Sequence, residues 1–156
     1  VAVDQLKQLL EVFRHLRLER IDVPARAGDG QVEPVFANIP IDSFALPMDA
    51  DMVMDVRFLP NPHWVDELRP QTGQHPAVRD YVLSQPGAME FLQTYHQLLD
   101  LVVDGYSREG KRYMTVAIGC TGGKHRSVAI TEALAASLDK NQQLSVRVLH
   151  RDLGRE

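Results

Sequence analysis

A nearly continuous apolar run over residues 113–119 constrains the fold of this chain more than any other feature. Such a run without polar alternation is typical of a strand buried on both faces of a parallel sheet. It passes directly into a short glycine-containing segment, residues 120–123, and then into residues 124–139, whose apolar side chains recur at helical spacing. This order of strand, tight loop and helix predicts an α/β fold, with a mostly parallel sheet flanked by helices.

Further patterns predict the elements around this unit. Helical periodicity favours helices over residues 3–20, 75–84 and 86–107, alternation favours a strand over 51–59, and a last strand is expected over 144–149. Residues 21–40 are rich in proline and glycine, which favours loop or linker with a short edge strand near Val35 and Phe36. We therefore divide the chain into an N-terminal helix and linker, residues 1–40, and a ligand-binding domain, residues 41–156.

Composition and charge exclude several classes of protein. No apolar run reaches the ~18 residues that a membrane span needs, so we expect no membrane partner. There is no signal peptide, and the single cysteine cannot form an internal disulfide, so a cytoplasmic location is expected. The net charge of −4 argues against broad binding of nucleic-acid backbones by the monomer. Arg147, His150, Arg151 and Arg155 nevertheless form a candidate basic patch or, alternatively, a solvated chain end.

The segment after the apolar run is a candidate anion cradle. Ligands of open α/β sheets bind beyond the carboxyl ends of the strands, where the first N–H groups of the next helix lack helical partners. Gly122 and Gly123 let the backbone approach a phosphate closely, and Lys124 and Arg126 supply positive charge. Cations in a first helical turn oppose the helix dipole unless an anion compensates, which favours a binding site over a plain surface turn. The candidate ligand-binding residues here are Cys120, Thr121, Gly122, Gly123, Lys124, His125, Arg126 and Ser127.

A second polar cluster follows the alternating strand. Asp55 and Arg57 share one strand face, which leads into Asn61 and His63 in a loop stiffened by two prolines. Such a set suits the hydroxyl and amino groups of a sugar, with Asp55 for an amine and Arg57 for a phosphate. The alternative is a surface ion pair between Asp55 and Arg57. Trp64 is expected to be a packing anchor rather than a stacking platform, and no complete metal ligand set is present, so we predict no metal site.

The same loop supports an enzymatic alternative. Cys120 and Arg126 stand in a Cys-x5-Arg-Ser arrangement, the spacing of cysteine-dependent phosphatases, in which the loop holds phosphate and the thiolate attacks phosphorus. A helix N-terminus favours the thiolate. However, Gly119 occupies the position where a histidine commonly precedes the nucleophile, and a lone cysteine beside a buried strand more often serves packing. The alternative function is therefore a phosphatase-like enzyme acting on a phosphosugar or phosphoester.

Two long segments carry a family resemblance. The chain resembles the RapZ/YvcJ family of bacterial regulators in its two hallmark segments, residues 50–64 (ADMVMDVRFLPNPHW) and residues 115–127 (TVAIGCTGGKHRS). Both segments look most similar to those of actinobacterial members. The triplet LRP at 68–70 and the pairs TG at 72–73 and His150-Arg151 are similar to the family too, so the resemblance covers residues 42–152. The chain departs from the family where Ser43-Phe44-Ala45 runs directly into Leu46, because a family segment with a Lys and a Gly is missing there.

The resemblance implies both architecture and function. It implies an α/β domain similar to part of phosphofructokinase, without enzyme activity or cofactor of its own, that forms dimers or tetramers. It implies that the domain senses glucosamine-6-phosphate or a related nucleotide sugar, with RNA or an RNase as further partners in the regulation of amino-sugar metabolism. ATP and GTP hydrolysis belong to an N-terminal P-loop domain in the family, and no Gly-x4-Gly-Lys-Ser/Thr motif occurs in this chain. The implied ligand contacts are Asp55, Arg57, Asn61, His63, Cys120, Thr121, Gly122, His125 and Arg126.

Overall fold

The described part of the chain is a parallel sheet with helices packed against it. A computed structural model describes residues 33–40, 50–140, 144–151 and 153–154. Its elements, in chain order, are β1 (Glu33–Pro40), β2 (Met52–Asp55), α1 (Pro76–Leu83), α2 (Ala88–Arg108), β3 (Tyr113–Cys120), α3 (Arg126–Leu138) and β4 (Arg147–His150). A short 3-10 helix, Pro62–Trp64, lies between β2 and α1. The predicted α/β class is confirmed.

The strands run in the order β2-β3-β1-β4, and each neighbouring pair is parallel. Asp55 at the end of β2 pairs with Gly119, and Pro40 at the end of β1 pairs with Cys120 at the end of β3. The carboxyl ends of these three strands therefore meet at one edge of the sheet. In open α/β sheets this is the edge at which ligands bind.

The sequence interpretation of residues 21–40 is wrong where the structure describes them. Instead of a loop with a short edge strand near Val35 and Phe36, residues 33–40 form an eight-residue strand between β3 and β4. Pro34 and Pro40 argue against a strand because proline has no N–H to donate to a neighbouring strand. They stand at the second and last positions of β1, so the residues between them keep their N–H groups. The predicted helix over 3–20 and the linker before residue 33 lie outside the described residues.

The core is built around β3 and α3. Met114, Val116 and Ile118 are fully buried, and so is Ala117 on the opposite face of the strand, which confirms the predicted central strand. Helix α3 contacts β1, β3 and β4 and also α1 and α2, so its side chains are buried all round its first turns. The burial of α3 residues thus follows from the elements packed on several sides of the helix, and not from an amphipathic pattern in its sequence.

Two predicted elements differ in detail. The strand expected over 51–59 ends at Asp55, and Phe58 leaves the predicted apolar face to lie exposed, with its ring edge-on to Phe91 at 5.3 Å. Helix α2 buries Leu92, Tyr95, Leu99 and Val103 as a row at helical spacing, whereas the predicted stripe residue Leu98 is exposed. Among the described helices, none is both long and apolar enough to cross a membrane.

Candidate anion-binding site

A cavity of about 840 Å³ lies between the segments that follow β2 and β3. Both segments leave the sheet at the edge where the strand ends meet. The cavity is lined by Asn61, His63, Trp64, Asp66, Arg69, Pro70, Cys120, Thr121, Gly122, Lys124, His125 and Arg126. Its volume falls within the range of roughly 300–1,000 Å³ that small-molecule sites occupy.

Local packing fixes the segment after β2. Val56 and Leu59 insert into the core and anchor its beginning. The Asn61 side chain then accepts a hydrogen bond from the backbone N–H of His63 at 3.3 Å and starts the short helix Pro62–Trp64. This helix presents Asn61, His63 and Trp64 to the cavity.

The loop after β3 is fixed from the opposite side. Gly123 adopts a φ of 63°, a conformation that favours glycine, and the helix begins at Arg126 rather than at Lys124 as expected. The Lys124 carbonyl accepts from the N–H of Gly73 at 2.8 Å. The buried ring of His125 places its Nε2 3.2 Å from the carbonyl oxygen of Arg69. Contacts with residues 69–73 therefore hold the cradle against a separate loop.

The guanidinium of Arg126 is the central feature of the site. Its side chain is buried, at 5% exposure, yet it lines the cavity. Nη1 donates to the carbonyl oxygens of Arg57 at 3.2 Å and Leu59 at 3.0 Å, and Nη2 donates to Thr121 Oγ1 at 3.1 Å. All three acceptors are uncharged, and Nε is buried without a hydrogen-bond partner among the described residues. The positively charged guanidinium of Arg126 is thus held in place, and not all of its N–H groups have acceptors among the described residues.

Basic groups outnumber acidic groups around this guanidinium. Arg69 and Lys124 join Arg126 in the cavity wall, whereas Asp66 is the only carboxylate among the lining residues. Asp66 forms an ion pair with Arg69, with 2.6 Å between Asp66 Oδ1 and Arg69 Nη2. The described lining residues therefore carry a net positive charge, which suits an anion.

The structure brings most of the predicted residues together. Asn61 and His63 from the second cluster face Cys120, Thr121, Gly122, Lys124, His125 and Arg126 from the cradle across one cavity. The rings of His63 and His125, which come from different clusters, have centroids 6.3 Å apart. Two segments that are 60 residues apart in sequence thus form one site.

Four predicted residues lie outside the cavity lining. Gly123 and Ser127 are buried in the turn and in the first turn of α3. Asp55 and Arg57 form an ion pair of 2.7 Å with both side chains partly exposed, as the surface-pair alternative expects. Arg57 contributes to the site through its carbonyl oxygen, which accepts from Arg126. Direct contact of the Asp55 and Arg57 side chains with a ligand stays a prediction.

Sequence reasoning missed part of the cavity wall. Asp66, Arg69 and Pro70 line it, although only the family resemblance drew attention to residues 68–70. The expectation that Trp64 is a packing anchor is wrong, because its side chain is 78% exposed at the cavity. Pro60 and Pro62, shortly before Trp64, were the sequence signal for this exposure, because they predict an irregular turn at the surface.

The described residues of the candidate C-terminal basic patch do not line the cavity. Of the candidate basic patch, Arg147 is exposed, His150 Nε2 lies 2.7 Å from Glu132 Oε1, and Arg155 lies outside the described residues. In the described ranges, no cluster of three His, Cys, Asp or Glu side chains is placed to hold a metal ion. Among the described arginines and lysines, those that line the cavity are Arg69, Lys124 and Arg126.

The Cys-x5-Arg arrangement has a defined geometry. Cys120 is the last residue of β3 and is 2% exposed, with its Sγ 3.0 Å from Ser127 Oγ. A hydroxyl at this distance can donate to a thiolate, which is compatible with a nucleophile. The low exposure, and the commitment of Arg126 Nη1 to two backbone carbonyls, are instead the features of a structural turn.

Comparison with known proteins places this geometry in context. The model of the RapZ C-terminal domain matches residues 38–154. A "nucleotide-binding protein" of Mycobacteroides abscessus is 82% identical over 113 residues, which are 72% of this chain and 38% of that protein. Proteins with the same name from Mycolicibacterium smegmatis and Mycobacterium tuberculosis are 75% and 73% identical over 78% and 85% of this chain. The chain spans 38–44% of the length of these relatives.

Proposed function

Because this chain belongs to the RapZ C-terminal domain family and lines its cavity with a buried guanidinium, we propose that it is the sensory domain of a RapZ-like nucleotide-binding regulator. The proposed ligand is a phosphorylated amino sugar, either glucosamine-6-phosphate or a related nucleotide sugar. The proposed contacts are the cavity residues of the two clusters, with the phosphate at Arg126 and Lys124. The domain acts by binding and performs no chemistry on this ligand.

One observation carries the proposal. Burying a charge is costly unless it is paired, and Arg126 is buried against three neutral oxygens, with an Nε–H that has no acceptor among the described residues. A phosphate at the cavity end of the guanidinium provides the missing negative charge and accepts short, charge-assisted bonds. Lys124 lies in the same wall and adds to the attraction.

Calorimetric titration with inorganic phosphate, glucosamine-6-phosphate and UDP-N-acetylglucosamine tests the proposal. We expect saturable binding by the wild-type chain and a thermal stabilisation that grows with ligand concentration, about 2.7 kcal/mol at one hundred times Kd. Arg126→Lys is expected to weaken binding at least tenfold, because a lysine cannot reproduce the planar donor geometry. Failure of all three compounds to bind at millimolar concentration would overturn the proposal.

Two further variants make the result interpretable. Arg126 also holds the carbonyls of Arg57 and Leu59, so its replacement can weaken the fold as well as binding. Lys124→Gln changes a less buried residue of the same wall and is expected to weaken binding while the unfolding temperature is retained. Arg79→Lys is the matched control, since Arg79 lies on α1, pairs with Asp80 at 2.8 Å and does not line the cavity.

The phosphatase alternative is favoured by the Cys120–Ser127 contact and is tested separately. It predicts release of phosphate from an aryl phosphate, with the turnover abolished in Cys120→Ser. The sensory function predicts no turnover in the wild-type chain and phosphate binding that survives in Cys120→Ser. Wild-type turnover that is lost in this variant would establish the enzyme instead.

The proposal extends to the longer protein. We propose that an N-terminal P-loop domain binds ATP or GTP there, because the matched segments cover only 38–44% of the relatives, which are named nucleotide-binding proteins. Homo-oligomers, RNA or an RNase as partners, and a cytoplasmic location follow from the family resemblance and remain predictions. RNA retention that falls steeply with salt and weakens in Arg147→Gln would support the RNA partner, whereas retention that salt leaves unchanged would contradict it.

A further inference from the structure

Trp64 is the described residue whose exposure is hardest to reconcile with folding alone. It is 78% exposed, the highest value among the described large hydrophobic side chains, and it lines the cavity. Its backbone is well held, because its N–H donates to Asn61 at 3.2 Å and the N–H of Val65 donates to Pro62 at 3.0 Å. An ordered turn therefore presents a large apolar ring to the cavity mouth.

The surroundings of the indole leave it available for stacking. The ring of His63 meets it nearly perpendicularly, at 5.5 Å between centroids and 84° between planes. No other aromatic ring of the described residues contacts it. Aromatic faces of this kind bind planar rings, and nucleobases stack on them with little dependence on their identity.

The separation between Trp64 and the cradle determines the shape of ligand that fits. The ring of His63 neighbours both the ring of His125, which directly precedes Arg126 in the chain, and the ring of Trp64, with centroid distances of 6.3 Å and 5.5 Å. A ligand that reaches both ends needs an anion and a planar ring joined by a spacer. A cavity of about 840 Å³ lies in the upper part of the range for small-molecule sites and has room for all three parts.

We propose that Trp64 is a specificity-determining residue that stacks on the base of a nucleoside phosphate whose phosphate lies at Arg126. The ribose is the spacer, and it lies along His63. This inference rests on the proposed function, since it assumes an anion in the cradle. It goes further by assigning the ligand a planar base, which glucosamine-6-phosphate lacks.

The test compares ligands that differ only in the base. Adenosine monophosphate, uridine monophosphate and ribose 5-phosphate are titrated by calorimetry, and the fluorescence of Trp64, the single tryptophan of the chain, is followed in parallel. We expect the nucleotides to quench this fluorescence and to bind about tenfold more tightly than ribose 5-phosphate. Trp64→Leu is expected to abolish this preference while the affinity for ribose 5-phosphate is unchanged, and Trp64→Phe is expected to retain part of it.

The control is Phe58→Leu, which removes another exposed aromatic ring that does not line the cavity and should leave the preference intact. Equal affinity of the wild type for the nucleotides and ribose 5-phosphate, or a preference that persists in Trp64→Leu, would overturn this inference while leaving the anion site in place. Absence of binding by inorganic phosphate, glucosamine-6-phosphate and UDP-N-acetylglucosamine alike would instead overturn the proposed function.

Discussion

The N–H of Gly73 donates to the carbonyl oxygen of Lys124 at 2.8 Å, and this bond joins the loop before α1 to the start of α3. A Cβ at position 73 would lie 2.2 Å from the His125 carbonyl oxygen and 2.5 Å from the Ala129 nitrogen, both backbone atoms. Gly73→Ala is therefore expected to destabilise the domain by about 2 kcal/mol or more, as overpacking does. Urea unfolding measures the change.

Gly122→Ala is the matched control for Gly73→Ala. A Cβ at position 122 meets no atom within 4 Å, so this variant is expected to remain within about 0.5 kcal/mol of the wild type. Equal stability of the two variants would contradict the close approach of the two loops.

The contacts of the Glu132 carboxylate make the stability of the domain depend on pH in the acid range. Burial alone would raise the pKa of Glu132, but hydrogen bonds from Gln74 and His150 and the charge of His150 lower it overall. The stabilisation is present above the ordinary glutamate pKa of about 4.3 and is lost as the pH falls through the lower folded-state pKa. Glu132→Gln should therefore flatten the dependence of unfolding free energy on pH in this window. Glu67→Gln, at an exposed position, should leave it unchanged, and equal profiles for the two variants would contradict the assignment.

The hydroxyl of Tyr95 is a buried group without a hydrogen-bond partner among the described residues. Burial raises the pKa of Tyr95 to about 12, and its ring stacks on Phe91 at 5.3 Å. Tyr95→Phe keeps the ring and removes an unsatisfied hydroxyl, so we expect the free energy of unfolding to stay equal or rise by up to about 1 kcal/mol. A loss of more than 1 kcal/mol in thermal or urea unfolding would show that the hydroxyl has a stabilising partner.

Two leucines of α2 provide a matched test of the core. Leu99 is fully buried, whereas Leu101, two residues later, is 67% exposed. Leu99→Ala is expected to cost about 2–5 kcal/mol because it removes packed atoms and leaves a cavity. Leu101→Ala is expected to change the unfolding free energy by less than about 0.5 kcal/mol. A similar cost for both would mean that α2 is rotated from the position described above.

The sequence is most informative where local pattern and tertiary position agree. The apolar run at 113–119 predicts a buried central strand because both of its faces are covered, and the glycine pair predicts the turn that follows. The candidate residues Asn61, His63 and Arg126 share a cavity because parallel strands bring their carboxyl ends to one edge of the sheet. That geometric rule requires no knowledge of long-range contacts.

The features that sequence reasoning missed depend on contacts between distant residues. Pro34 and Pro40 argue against a central strand until β3 and β4 are known to flank it. The carbonyl of Leu59, which is 67 positions from Arg126, carries no sequence signal as an acceptor for its guanidinium. Arg69 enters the cavity wall because it packs beside His125, which a linear pattern does not show.

A crystal structure of the chain grown with inorganic phosphate would show whether the buried guanidinium of Arg126 faces an anion site. We predict a phosphate in the cavity with one oxygen within about 3 Å of the Arg126 guanidinium, a normal hydrogen-bond distance, and another near Lys124. A cavity without phosphate, or a phosphate bound only elsewhere while Arg126 keeps its three neutral acceptors, would contradict the account.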